Sequence, residues 1–291
     1  YYAGLIRGAV DNYYQWQFSE NGSTSVQTKY TTEFFTDLSI DWINQQSKPW
    51  FLWLAYNAPH FPIQPPKKWL ETVKKREPQL SEKRAKNVAF IEHLDYNIGK
   101  VMKALKKTGL DENTLVVFTS DNGGALRFAQ SNGKLRGGKQ DMYEGGIRVP
   151  TFFYWKNKIV PATKTENLGM LMDLFPTFCD IAGAEYPEKI DGISLLPTLM
   201  GKPQITDDRY VFWVRREGWH YGGQAYYAAR YKEYKIMQNT PFEPKQYFNL
   251  NTDEFETKPL DATDNEIFKK LNFQLSEHIR KAGAVPWQKE N

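Results

Sequence analysis

The sequence predicts an α/β protein with a mostly parallel sheet flanked by helices, followed by a small α+β subdomain with an antiparallel sheet and a closing helix. Through residues 1–203, short apolar runs alternate with helical patterns, which is typical of strand–helix–strand units. Residues 204–291 instead carry short aromatic and β-branched runs separated by turn residues, and they end in an amphipathic stretch. We therefore predict a large domain over 1–203 and a small subdomain over 204–291.

Helices are predicted where apolar residues recur about every 3.6 positions. The clearest example covers residues 85–106, where the apolar side chains from Val88 to Leu105 follow this period. Gly109 then provides a typical helix stop. The predicted helices cover 32–46, 85–106, 168–183 and 265–283.

Continuous apolar runs predict strands that are buried on both faces. The first run, PWFLWLAYN, is followed by APHFPIQPP, which forms a rigid loop because its prolines have no N–H to donate. The second and third runs are TLVVFT and VPTFFYW. These predicted strands cover 49–57, 114–119 and 149–155.

The composition excludes several classes of protein. Of the 291 residues, 41% are hydrophobic and 25% are charged, and the net charge is +4. This is a globular composition whose positive charge is too small and too dispersed to indicate nucleic-acid binding. No apolar run reaches the length needed to span a membrane. Cys179 is the only cysteine, which excludes an intrachain disulfide.

The strand over 114–119 runs directly into Ser-Asp-Asn-Gly-Gly, which places Asp121 and Asn122 at its carboxyl end. Ligands bind at the carboxyl ends of strands in open α/β sheets. One carboxylate and one amide oxygen suit Ca²⁺ or Mg²⁺ better than zinc. The alternative is a polar turn without a ligand, which uses the same residue types.

Two other loops carry chemically capable side chains. His60 stands between prolines, and a stiff loop can hold a general acid, a base or an oxyanion donor. Its alternative is a turn histidine packed on a neighbouring ring. Lys139 lies in LRGGKQDMYEGG, where the paired glycines permit close backbone approach. A lysine there suits a sulfate or phosphate oxygen, and its alternative is a solvated loop lysine.

Four ordered segments together resemble a known family. They are LAYNAPHFPIQPP, VVFTSDNGG, LRGGKQDMYEGGIRVP and DLFPTFCDIAG followed by DGISLLP. They are similar to the catalytic domain of the type I, formylglycine-dependent sulfatases of the alkaline phosphatase superfamily. The resemblance covers most of residues 1–203, and AARYKEYKIMQ with QYFNL resembles the C-terminal subdomain of that family.

The resemblance implies a sulfatase, a sulfuric ester hydrolase that acts on a sulfated carbohydrate or an aryl sulfate. By the same resemblance, Asp121 and Asn122 match two calcium ligands, and Lys139 matches the lysine that holds a sulfate oxygen. His60 matches the histidine that assists the leaving group. The implied cofactors are Ca²⁺, with Mg²⁺ as the alternative, and formylglycine. The implied location is periplasmic, secreted or lysosomal.

This sequence also departs from the family pattern. The Cys-x-Pro-Ser-Arg motif that yields formylglycine is absent, as are the early Asp-Asp pair and the early catalytic lysine and histidine. Cys179 lies in a helical pattern and is expected to be a core thiol. We therefore expect the chain to be the C-terminal portion of a longer enzyme, to be inactive alone, and to need the N-terminal part as a partner.

The segment VRREGWHYGGQAYY is predicted to be a loop between two strands. Arg215, Arg216 and His220 lie in it and would contact a sugar substrate, the alternative being a hairpin with a solvated tip. Two other functions stay open at this point. One is a phosphatase or phosphodiesterase of the same superfamily, which the presence of only four histidines disfavours. The other is a non-catalytic protein that binds anions or glycans.

Overall fold

A computed structural model of the protein describes residues 3–5, 11–204, 206, 209–216 and 225–283. The chain forms two compact units. The first contains Tyr1–Leu115 and Arg127–Gln130, and the second contains Val116–Leu126 and Ser131–Asn291. These units are defined by contacts between residues. The predicted domain boundary at residue 203 is based on a change in residue pattern, and it stays a prediction.

The first unit begins with a three-stranded antiparallel sheet. It contains β1 (Ala3–Leu5), β2 (Trp16–Glu20) and β3 (Ser23–Gln27) in that order. Between β2 and β3, Asn21 and Gly22 adopt φ angles of 47° and 88°. A type I′ hairpin turn requires such left-handed φ values at both central positions. This Asn-Gly pair therefore closes the hairpin.

Three helices of the first unit follow this sheet. They are α1 (Thr31–Asn44), α2 (Lys67–Arg76) and α3 (Glu82–Thr108). Helix α3 begins after Ser81, whose Oγ accepts a hydrogen bond from the Arg84 amide at 3.3 Å. It ends at Gly109, which has a left-handed φ of 74°. The helices predicted over 32–46 and 85–106 are confirmed, with small shifts at their ends.

Aromatic side chains form the core of the first unit. Trp16 and Phe18 of β2 pack against Phe34 and Phe35 of α1, with ring centres 5.0 to 6.3 Å apart. Phe90 of α3 is fully buried in the same cluster. Much of the aromatic content of the sequence is therefore structural.

Residues 49–57 do not form the strand that the sequence predicts. Their exposure alternates from residue to residue. Leu54 and Tyr56 pack on the aromatic core, whereas Phe51 is 68% exposed and Trp53 is 82% exposed. A strand needs hydrogen-bonded neighbours, and the described part of the chain places none beside this segment. The prediction of a strand buried on both faces is therefore wrong here, since only one face is covered.

The second unit contains a short strand pair. It consists of β4 (Val116–Phe118) and β5 (Phe152–Tyr154), which run antiparallel with Val117 opposite Phe153. Parallel pairing of neighbours requires a crossover connection, usually a helix. The segment 119–151 instead consists of loops and short helical turns. The expectation of parallel pairing is therefore wrong for these two strands, and their expected burial is wrong too, because Phe152 is 64% exposed.

Short helices follow in the second unit. They are α4 (Glu144–Ile147), α5 (Leu174–Ala182) and α6 (Leu196–Leu199). Pro176 lies in the first turn of α5, where its missing N–H breaks no helical hydrogen bond. Helix α5 ends at Gly183 with a φ of 67°, so the helix predicted over 168–183 is confirmed for its second half. Cys179 is a half-buried free thiol on this helix.

An antiparallel sheet and a closing helix complete the second unit. The strands are β6 (Tyr210–Arg216), β7 (Ala225–Tyr231), β8 (Tyr234–Gln238) and β9 (Gln246–Asn249), and they lie in sequence order. Helix α7 (Glu266–Gly283) packs Leu271 and Leu275 against Ile236 and Tyr247 of this sheet. The predicted antiparallel sheet and the helix predicted over 265–283 are confirmed.

Candidate functional site

The turn after β4 presents oxygen atoms. Ser120 Oγ donates a hydrogen bond to the carbonyl of Asn122 at 3.1 Å, and Asn122 Nδ2 donates to the carbonyl of Gly123 at 2.9 Å. The amide of Asn122 therefore uses its nitrogen locally and keeps Oδ1 for another partner. Asp121 is exposed, and its carboxylate makes no hydrogen bond or ion pair within the described residues. Both side chains thus have an oxygen available for a ligand.

The glycine-rich loop lies directly against this turn. The Gly123 amide donates to the carbonyl of Gly146 at 2.9 Å, and the Lys139 amide donates to the carbonyl of Gly124 at 2.9 Å. Asn132 joins the two segments as well, because its Oδ1 accepts from the Gly124 amide at 2.7 Å. The structure thus joins the backbone that carries Asp121 and Asn122 to the backbone that carries Lys139.

This contact depends on the glycines. A Cβ atom on Gly123 would lie 1.8 Å from the carbonyl oxygen of Gly145, and one on Gly145 would lie 2.4 Å from the carbonyl oxygen of Gly137. Real Cβ atoms do not approach backbone oxygens so closely. The glycines that the sequence places in both segments are therefore required for the close packing of the turn and the loop.

Lys139 has an available amino group. Its backbone is held by Gly124 and its side chain is half-buried, but its Nζ makes no hydrogen bond or ion pair within the described residues. By contrast, the neighbouring Arg136 donates to the carbonyl of Glu256 and stacks on the Tyr143 ring at 4.1 Å. Lys139 can therefore bind an anion. The same free amino group also fits the alternative of a solvated loop lysine.

His60 lies in the first unit, on an exposed and well-anchored loop. Its Nδ1 donates to the carbonyl of Phe61 at 2.7 Å, which leaves Nε2 as the nitrogen that can exchange a proton. The loop is fixed on both sides: Tyr13 donates to the His60 carbonyl at 3.0 Å, and Gln130 donates to the Pro59 carbonyl at 2.8 Å. The imidazole is therefore oriented and accessible.

Arg215 and Arg216 end strand β6 and do not lie in the loop that the sequence predicts. The strand reaches this far because Arg216 pairs with Ala225 across the hairpin. The Arg215 guanidinium lies 4.7 Å from the centre of the Tyr226 ring, and Arg216 Nε donates to the hydroxyl of Tyr227 at 3.1 Å. His220 lies outside the described residues.

The donor atoms at the strand end fit a hard cation only in part. Within the described ranges, no three histidine, cysteine, aspartate or glutamate side chains lie close enough together to hold a metal ion. Asp121 and Asn122 offer one anionic and one neutral oxygen, which is the chemistry that Ca²⁺ prefers. These two residues can supply part of a calcium coordination shell, but by themselves they do not complete one.

One set of buried charges is not evident from the sequence. Glu144, the first residue of α4, forms a buried ion cluster with Lys235 and Glu256, and each of the three is at most 3% exposed. Lys235 stands in the strand pattern YKIMQ, where a lysine normally indicates a solvent-facing position. The position of Glu144 beside the paired glycines of the loop is the only local signal of a special role. The burial of all three follows from the tertiary structure.

The protein combines helices and sheets with a glycine-rich loop that carries Lys139 and is hydrogen-bonded to the turn of Asp121 and Asn122. A sequence profile of the sulfatase family matches residues 4–184, and a profile of the C-terminal region of N-sulphoglucosamine sulphohydrolase matches residues 138–283. The chain belongs to the sulfatase family. No helix among the described residues is both long and apolar enough to cross a membrane.

Several relatives match at moderate identity. The N-acetylgalactosamine-6-sulfatase of Mus musculus is 33% identical over 231 residues, which cover 76% of this chain and 41% of the mouse protein. A sulfatase of Formosa agariphila is 31% identical over 290 residues, covering 88% of this chain and 51% of that protein. The chain thus spans about half the length of these curated relatives.

A solved structure confirms the fold. The crystal structure of Ps i-CgsB in complex with k-i-k-neocarrahexaose superposes with a TM-score of 0.82 at 27% identity, covering 90% of this chain and 57% of that one. The α/β fold expected from the resemblance to sulfatases is therefore confirmed.

Proposed function

We propose that this chain supplies part of the active site of a sulfuric ester hydrolase that acts on a sulfated carbohydrate. The main support is the strand-end turn of Asp121 and Asn122, whose backbone is hydrogen-bonded to the loop of Lys139. Family membership supports the reaction class. Similarity to an N-acetylgalactosamine-6-sulfatase and to a protein solved in complex with k-i-k-neocarrahexaose supports the carbohydrate substrate.

Each residue would perform a distinct task. The ammonium of Lys139 would bind a sulfate oxygen and stabilise the negative charge that develops in the transition state. Asp121 and Asn122 would hold a Ca²⁺ ion, which supplies further positive charge to the sulfate oxygens when bound. The protonated Nε2 of His60 would donate to the bridging ester oxygen as the leaving group departs.

The remaining half of the enzyme would complete the fold and the reaction. Strands β4 and β5 form only a two-stranded sheet within the described residues, and such a pair is marginally stable alone. Phe152 is 64% exposed on β5, and Trp53 is 82% exposed in the other unit. The relatives are about twice as long as this chain. We propose that the complete enzyme contains a segment that corresponds to the additional residues of these relatives. This segment would cover the exposed rings and supply formylglycine.

The complete enzyme should release sulfate from sulfated oligosaccharides, and this chain alone should release none. The assay measures free sulfate by ion chromatography with a sulfated N-acetylgalactosamine oligosaccharide, a small aryl sulfate and a sugar phosphate monoester. Faster release of phosphate than of sulfate would favour a phosphatase instead. Tight glycan binding by the complete enzyme without release of any product would favour a binding protein.

Arg215→Ala in the complete enzyme should raise the KM for a sulfated oligosaccharide about tenfold and leave the KM for a small aryl sulfate unchanged. The reason is that a charged hydrogen bond to a second anionic group of the sugar is worth roughly 1.5 to 3 kcal/mol. Lys232→Asn is the matched control, because Lys232 also stacks a cation on a tyrosine, Tyr231 at 5.4 Å. Asparagine tolerates its φ of 52°. Equal losses on both substrates would contradict a sugar-binding role for Arg215.

A further inference from the structure

Three charged side chains are buried together in the second unit. Lys235 Nζ lies 2.8 Å from Glu144 Oε1 and 2.7 Å from Glu256 Oε1. Lys235 and Glu256 are fully buried, and Glu144 is 3% exposed. Removing three charges from water is costly even when they pair, and replacement of such a cluster by apolar side chains is often neutral or stabilising. The cluster is therefore weak evidence for a role in stability, and its contacts with the surrounding backbone indicate what else it does.

The cluster contains two carboxyl groups and one amino group. The nearest additional cation is Arg230, whose Nη1 lies 4.0 Å from Glu144 Oε2. Burial raises the pKa of Glu256 above its usual range, and the nearby Lys235 opposes that shift. Glu256 is also held by its backbone, because Arg136 donates to its carbonyl at 2.7 Å. Its φ of 53° is left-handed, so the surrounding contacts hold it in a conformation that non-glycine residues seldom adopt.

The cluster connects to the glycine-rich loop through the backbone of Glu144. The Glu144 amide donates to Glu256 Oε2 at 2.6 Å, which fixes the first residue of α4. The next residue, Gly145, donates its amide to the carbonyl of Arg136 at 2.8 Å. The start of α4 is therefore bonded both to the buried cluster and to the loop segment before Lys139.

The connection continues to the strand-end turn. Gly146, the third residue of α4, accepts the amide of Gly123 at 2.9 Å, and the amide of Lys139 donates to Gly124 at 2.9 Å. Gly123 directly follows Asn122. An unbroken series of hydrogen bonds and peptide units therefore joins Lys235, in the middle of the C-terminal sheet, to the turn that carries Asp121.

We propose that Lys235 and Glu256 are positioning residues. By holding Glu144, they fix the glycine-rich loop and the turn against each other, and so they set where Asp121, Asn122 and Lys139 present their ligand atoms. The hydrogen bonds of Glu144 and the glycine-rich loop support the positioning of the loop against the turn. The effect on calcium and sulfate binding rests on the proposed function.

Glu256→Gln in the complete enzyme tests the inference, because glutamine keeps the size of the side chain and removes its charge. Amide hydrogen exchange at Gly123 and Lys139 should accelerate at least tenfold, while the amide of Ile236 in β8 should exchange as before. Calcium affinity, measured by titration calorimetry, should fall about tenfold, in the range that supporting residues around metal ligands contribute. The factor by which kcat falls should be larger than the factor by which KM rises.

Glu254→Gln is the matched control. Glu254 lies two residues away, is 51% exposed and pairs with Arg148 at 2.8 Å, so its replacement should change none of these quantities. If Glu256→Gln does not fold, Arg136→Gln leaves the Glu256 side chain in place and removes the bond to the Glu256 carbonyl together with the contact to the Tyr143 ring. It should produce the same changes in exchange and calcium affinity, but smaller ones.

Two outcomes would overturn the inference. One is equal acceleration of exchange at Gly123, Lys139 and Ile236, which indicates general destabilisation. The other is unchanged exchange and calcium affinity in a folded variant. Both leave the proposed function intact, since they do not depend on turnover. Conversely, if the complete enzyme released phosphate and not sulfate, local acceleration of exchange in Glu256→Gln would still support the positioning role.

Discussion

Lys139→Ala in the complete enzyme should lower kcat/KM for sulfate ester hydrolysis by about 100- to 1,000-fold, with little change in thermal stability. Removing one group that stabilises a developing oxyanion typically costs this much. Stability should hold because the Lys139 amino group makes no hydrogen bond or ion pair within the described residues. Its amide, which donates to Gly124 at 2.9 Å, is retained in the variant.

Lys134→Ala provides the control for this prediction. Lys134 directly precedes the loop of Lys139, is exposed and has its Nζ 6.0 Å from the centre of the Phe255 ring, so its loss should leave kcat/KM within about twofold. Steady-state kinetics and thermal unfolding of both variants check the result. A Lys139→Ala enzyme with near-normal kcat/KM would rule out the proposed anion-binding role.

Gly123→Ala should damage stability and activity together. The new Cβ would lie 1.8 Å from the carbonyl oxygen of Gly145, so the turn and the glycine-rich loop must separate. Overpacking of this kind costs roughly 1 to 3 kcal/mol, which lowers the Tm by several degrees in a protein of this size. Because a displacement of about 1 Å can cost 100-fold in rate, kcat should fall by about that factor.

Gly99→Ala is the matched glycine substitution. Gly99 lies inside α3, and apart from its two chain neighbours and the backbone of its own helix, no atom stands within 4 Å of the position that a Cβ atom would occupy there. Alanine should therefore raise the free energy of unfolding by about 0.5 to 1 kcal/mol. The stability of both glycine variants is measured by calorimetric unfolding, and their kcat by steady-state kinetics. Wild-type stability and activity in Gly123→Ala would contradict the close packing of the turn against the loop.

Local patterns in the sequence are sufficient for α1, α3, α5 and α7, whereas the predicted helices do not include α2. Helix α3 keeps its apolar period over many turns, begins after Ser81 and ends at Gly109, and each of these signals acts within a few residues. The hairpin of Asn21 and Gly22 has an equally local signal, although the predicted strands do not include it. An Asn-Gly pair between two short strand-forming runs is a strong hairpin signal, so local patterns were sufficient to predict this hairpin.

The burial of strands is beyond local patterns. A run such as PWFLWLAYN has apolar side chains on both faces, but burial depends on what lies opposite each face. In the structure Leu54 and Tyr56 meet the aromatic core, whereas Phe51 and Trp53 remain exposed. The direction of β5 beside β4 is equally open from the sequence, because it depends on the path of the connection between them.

The amino acids alone were enough to establish the family, the helices α1, α3, α5 and α7, the antiparallel C-terminal sheet and the residue types of the candidate site. Those features depend on short motifs and on periodicity, which a sequence displays directly. Only the folded chain shows that the Lys139 loop packs on the Asp121 turn and that Lys235 is buried against Glu144. The physical reason is that both depend on contacts between residues far apart in the chain, such as Lys235 with Glu144, whose partners no local pattern specifies.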